Sequence, residues 1–153
     1  MFSLSPEVSR TVGQLLARGV CRDLDALGLV CLTEFPTRSG LRMDIAALSE
    51  SGEIWCVEVK SSRADFMSDR KWRGYLDWCD RFFFAVPEGF PEEILPPDQG
   101  LMRADAYGAE ILRQGPVLPV AAARRKAITL RFARLATQRL HRLEAPAAGL
   151  DRS

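Results

Sequence analysis

Three residues near the middle of the chain have types and spacing suited to phosphate chemistry: Asp44, Glu58 and Lys60. Two strand-like runs, 42–49 and 53–60, flank Glu50-Ser51-Gly52, and three residues with glycine last suit a hairpin loop whose final residue is left-handed. Pairing Ser49 with Glu53 carries the register along to set Asp44 opposite Glu58 on one face, with Cβ atoms roughly 4.5–5.5 Å apart. Lys60, two residues beyond Glu58, points to the same face. Opposed carboxylates destabilise a sheet unless positive charge lies between them, and a one-residue slip would part them. A hard cation, Mg²⁺ or Mn²⁺, suits this set, with Asp44, Glu58 and the carbonyl of Val59 as oxygen ligands and water completing the shell. Such an ion polarises a phosphate and lowers the pKa of a bound water, while the Lys60 ammonium orients that water or stabilises charge on the phosphate. Glu58 and Lys60 stand in a run otherwise made of Ile54, Trp55, Cys56, Val57 and Val59, where a charge is costly unless it is paired.

The rest of the composition narrows the alternatives. With 153 residues, 47% of them hydrophobic and 27% charged, the chain suits one globular domain and is too apolar for intrinsic disorder. Its longest apolar stretches are too short to cross a bilayer, and no basic stretch leads into an apolar one at the N-terminus, so a cytoplasmic protein without membrane association is expected. Cys21, Cys31, Cys56 and Cys79 are far apart and the single histidine is His141. That spacing excludes a zinc knuckle, a histidine-based nuclease and a disulfide scaffold, and reads as four buried thiols. Charge is segregated: residues 1–120 carry 13 Lys/Arg against 18 Asp/Glu, whereas 121–143 carry Arg124, Arg125, Lys126, Arg131, Arg134, Arg139 and Arg142 with no acid. Such a segment either meets a polyanion or docks on the acidic part of its own chain.

The elements that must position the three residues follow from local signals. Ser5-Pro6-Glu7 starts a helix expected over 6–27, which Gly28 ends. A short strand over 29–35 and a turn over 36–40 precede the hairpin. A single helix is expected over 64–79, then a doubly buried strand over 81–86, a proline-rich loop over 87–98 and a hairpin about Tyr107-Gly108. The closing helix, near 121–143, should bury Ile128, Phe132, Leu135, Ala136, Leu140 and Leu143, with Arg124 and Arg131 pointing away. The order indicates an α/β domain over 1–144 with a mixed central sheet flanked by helices, followed by a flexible tail over 145–153.

Asp44 followed by Glu58-Val59-Lys60 resembles the PD-(D/E)xK nuclease superfamily, although Met43 stands where the superfamily name has proline. The longer string is similar to the MmcB-like family of bacterial DNA repair proteins, which is implicated in resistance to DNA crosslinking damage. It comprises Gly52-Glu53-Ile54-Trp55, Glu58 through Ser62, Asp65-Phe66, Asp69 through Trp72, Tyr75, Cys79 through Pro87, Gly100-Leu101, Ala104 through Gly108 and Ala123 through Lys126. The resemblance implies a restriction-endonuclease-like core and a magnesium-dependent hydrolase that cuts DNA phosphodiester bonds through a metal-bound water. It also implies damaged or branched DNA and repair proteins as partners. A non-catalytic DNA-binding or scaffold protein that keeps the fold is the alternative. Asp44 and Glu58 would hold metal and Lys60 would be catalytic. The superfamily often adds an acid, for which Glu34 is ranked above Glu7, with Asp23 a later candidate.

Several other residues carry two readings each. Asp65 and Asp69 either face a cation near the site, or Asp65 caps the helix while Asp69 pairs with Arg73 one turn on. Lys71 and Tyr75, four apart, are candidates to bind phosphate from the crossing helix. Trp72 and Trp78 suit the core or its rim better than base stacking. Arg124, Arg125 and Lys126 are the candidates for DNA-backbone contacts.

Overall fold

In the computed structural model, which describes residues 5–145, the hydrophobic periods sort the elements into three layers. Helix α1 (Pro6–Ala26) starts at the Ser5 cap, whose hydroxyl accepts from Val8 N at 3.3 Å, with Pro6 at the first helical position. Its buried stripe, Leu16, Val20 and Leu24, packs on one face of a six-stranded sheet. Gly28 then ends the helix at φ +87°, a conformation in which glycine carries no Cβ penalty.

The sheet contains β1 (Val30–Pro36), β2 (Arg42–Leu48), β3 (Ile54–Val59), β4 (Arg81–Val86), β5 (Gly100–Ala104) and β6 (Ala109–Arg113), ordered as in the chain. Strands β1–β2–β3 are antiparallel, β3–β4–β5 parallel, and β5–β6 antiparallel. Strand β3 is buried throughout and β4 nearly so, as continuous apolar runs in a covered parallel pair require. Ile45 pairs with Val57 and Leu48 with Ile54, the register expected from the hairpin, and Gly52 takes φ +89° in its loop.

The opposite face is covered by α2 (Arg63–Ser68), a 3₁₀ helix over Trp72–Trp78, and α3 (Ala122–Glu144). The single helix expected over 64–79 is therefore two pieces. The backbone of Asp69 is extended, and its carboxyl accepts from Lys71 N at 2.7 Å, a turn that stops α2. The second piece winds three residues per turn, so Trp72, Tyr75 and Trp78 fall on one side, and Trp72 packs against Phe82 and edge-to-face on Phe84. Helix α3 buries Ile128 and Phe132, the latter against Phe35 at 6.0 Å. Leu140 and Leu143, expected in its buried stripe, are 53% and 83% exposed because the helix runs off the sheet beyond the edge strand β1. Arg124 and Arg131 do not point away: Arg124 donates to Asp77 O and lies over Trp78, while Arg131 donates to Pro36 O. Cys56 and Cys79 are buried thiols, whereas Cys21 and Cys31 are only half-buried, being at the margin where α1 meets β1. The expected flexible tail lies, beyond Ala145, outside the described residues.

Gly19 fixes where α1 meets the β5–β6 turn. A Cβ there would fall 1.8 Å from the Asp105 carbonyl oxygen and 2.7 Å from that of Gly108, both backbone atoms that cannot turn aside. Gly19→Ala is expected to cost about 3 kcal/mol in urea unfolding, despite the better helix propensity of alanine.

Candidate active site

The site forms where the β2–β3 ladder opens. Past Ile45 and Val57 the next opposed positions are Asp44 and Glu58, and there side chains replace the backbone ladder. Asp44 N donates to Glu58 Oε1 and Val59 N donates to Asp44 Oδ2, each at 2.9 Å. Each carboxyl thus caps the opposite strand, which fixes both acids without help from loops. Glu58 is buried and Asp44 half-buried.

Burial dominates the electrostatics of the pair. Burial, and then the neighbouring Asp44 carboxyl, push Glu58 well above the usual carboxylate range. Burial also raises Asp44, against the opposing hydrogen bond from Val59 N. The two carboxyls titrate as a coupled pair, and the direction for both is upward because burial disfavours both charged forms.

Lys60 emerges on the same side, buried, but its ammonium is held by Asp69 Oδ2 at 2.7 Å. The two side chains are only 8% and 12% exposed. Burial alone would lower the Lys60 pKa, and Asp69 outweighs it and holds the amine above its usual value. Asp69 therefore faces a cation of the site rather than Arg73, because the break after α2 removes the helical spacing that would have joined those two. Asp65 Oδ2 accepts from Ser61 N at 2.9 Å, and the Ser62 hydroxyl accepts from Asp65 N, so the pair locks the turn between β3 and α2.

The extra acid is not supplied as expected. Among the described residues no group of three His, Cys, Asp or Glu side chains is arranged to hold a metal. Glu34 sits one strand over from Asp44 in register, but its φ of +50° breaks the pleat of β1 and it is exposed. Asp23 accepts from Ala109 N at 2.6 Å and pins the β5–β6 turn to α1. Glu7 is exposed in the first turn of α1. Tyr75, offered as a phosphate binder, is buried and donates to the Arg42 carbonyl at 2.7 Å. Lys71 is exposed in the break between helices, so the two do not form the expected pair four apart on one helix.

The basic segment divides into two roles. Arg125 is a structural clip: its guanidinium binds Asp80 through both nitrogens, Nη1 to Oδ2 at 2.7 Å, and also donates to Gly52 O. Asp80, marked in the sequence only as part of the family-like run Cys79 through Pro87, also accepts from Ile54 N and Val120 N. Lys126 remains exposed.

As a metal site the pair fits a hard cation that keeps most of its water. It offers two fixed, largely buried carboxyls with the end of β3 at Val59 beside them. Among the described residues no helix is long and apolar enough to cross a membrane.

The chain is similar to a solved structure of a protein of unknown function from Silicibacter pomeroyi, with 50% identity over 99% of this chain and 100% of that one, at a TM-score of 0.85. A comparison with curated proteins found no match. The family model for the DNA repair protein MmcB-like matches residues 7–147. With that match spanning nearly all of the chain, the protein belongs to the MmcB-like family of DNA repair proteins.

Proposed function

We propose that the protein is a metal-dependent nuclease that hydrolyses DNA phosphodiester bonds, built on a restriction-endonuclease-like core. The observation that supports this most is the reciprocal capping of Asp44 and Glu58, which spends a buried, repelling carboxyl pair where a sheet could have closed with its own hydrogen bonds. Bound Mg²⁺ or Mn²⁺ would supply Lewis-acid polarisation of the phosphate and a water of lowered pKa. Asp44 and Glu58 would hold the ion, with the Val59 carbonyl as a third oxygen. Lys60 would set its ammonium against charge growing on the phosphate, leaving Asp69 to do so.

The test uses purified protein with single-stranded, duplex and branched DNA, in Mg²⁺ or Mn²⁺ and in chelator. Products that require metal and fall by about 10³-fold in Asp44→Asn are expected, the loss being several kcal/mol of transition-state stabilisation. Mn²⁺ should also raise the thermal midpoint of the wild type and not that of Asp44→Asn. Absence of both effects overturns the reading.

A second reading, a DNA-binding or scaffold protein that retains the fold without cleaving, is favoured by the Lys60–Asp69 ion pair, in which the amine is already neutralised and little exposed. It anticipates salt-sensitive DNA binding without products, indifferent to Lys60→Ala.

A further inference from the structure

Between the flank of α3 and the β1–β2 loop runs a groove of about 560 Å³ in which Pro36, Arg38, Lys126, Arg131 and Arg134 take part, with Leu130 and other aliphatic side chains between the cations. No acidic side chain lines it, and none of its four cations forms an ion pair among the described residues. Arg38, Lys126 and Arg134 are exposed; Arg131 is half-buried and fixed by its bond to Pro36 O. The surroundings sharpen the contrast, since residues 1–120 carry five more acids than bases. Of the basic segment, Arg125 is ion-paired with Asp80 and Arg124 lies over Trp78, whereas among these four, within the described residues, only Arg131 has a protein hydrogen-bond partner, the Pro36 carbonyl.

From this arrangement we infer that the groove is a track for the phosphodiester backbone of a nucleic acid, contacted by Arg38, Lys126, Arg131 and Arg134. Lys126 and Arg134 are eight residues apart on one helix, about 12 Å along its axis. That matches the axial rise of three to four nucleotides of one strand at about 3.4 Å each. The groove and the Asp44–Glu58 site share the same end of the sheet, because the loop bearing Arg38 leads directly into β2. Alkyl side chains between the cations exclude water from the contact without reading base identity, so the track sets position rather than sequence. The inference rests on the DNA-directed reading above for its partner, but it needs neither metal nor cleavage.

The experiment measures binding of fluorescein-labelled single-stranded DNA, duplex DNA and RNA by anisotropy, in chelator, across a salt series. For duplex DNA, Lys126→Ala/Arg134→Ala is expected to weaken binding by about tenfold per cation at about 0.1 M salt, and to reduce the slope of log K against log salt by about 0.9 per cation. Arg38→Ala should lower both again. Arg18→Ala/Arg22→Ala, on exposed α1 positions across the sheet, removes the same charge and should change little. Equal losses in the two double variants, or no binding by the wild type at low salt, would overturn the track. Binding that follows these expectations without any metal-dependent product would retain the track and remove the nuclease. The three probes separate DNA from RNA and one strand from two.

Discussion

Asp80→Ala is expected to destabilise the protein by about 4 kcal/mol in urea unfolding, the largest stability loss from any single polar substitution in the fold. Its carboxyl, buried at the head of β4, accepts from Ile54 N at 2.7 Å and Val120 N at 2.9 Å and grips Arg125. Removal orphans two backbone donors and leaves the guanidinium without its anion. Asp80→Asn should cost nearly as much, because an amide offers one acceptor to two N–H groups and turns a donor toward the other. Arg125→Ala should cost about half as much, since Arg125 is partly solvated and the two N–H bonds survive. Burial alone would raise the Asp80 pKa, but Arg125 and the two backbone donors overcome that and hold the carboxyl below the usual carboxylate range. As pH falls below about 4 the unfolded chain takes up this proton before the folded one does, so the contribution is complete above that range and disappears as pH drops through the folded value. The acid limb of the stability curve should accordingly be shallower in Asp80→Asn. An unchanged acid limb would show that Asp80 is not the titrating group.

Lys60→Ala is expected to lower metal-dependent cleavage by about 10²–10³-fold, the loss associated with one donor aimed at developing charge. Asp69→Asn should reduce it far less, because the asparagine oxygen can still accept from the amine while releasing it more readily to a phosphate. This pair of variants separates the two readings of the ion pair. If Lys60 serves only to neutralise Asp69, the two substitutions will damage stability alike and leave turnover per folded molecule alone. Circular dichroism and unfolding of each variant, run beside the cleavage assay, keep lost folding apart from lost chemistry.

Much of this was legible in the chain itself. The three-residue loop ending in Gly52 set the β2–β3 register, because a loop of fixed length decides that Ser49 opposes Glu53 and so which residues face each other beyond it. The meeting of Asp44 with Glu58 followed from that. Capping residues and glycines likewise marked α1, and the continuous apolar run of β4 marked a doubly covered strand.

Other features depend on contacts between distant segments. The break at Asp69 arises because a lysine just past β3 and a backbone N–H two residues on both claim its carboxyl, and helix periodicity over 64–79 carries no sign of either. Arginines of one helix part ways because Asp80, brought in from just ahead of β4, neutralises Arg125, while Arg134, nine residues on, faces an open groove. Periodicity and register are local, short-range properties that a sequence states outright. The partner of a buried charge is chosen by whichever opposite charge the packed layers carry to within a few ångströms, and only the folded chain makes that choice.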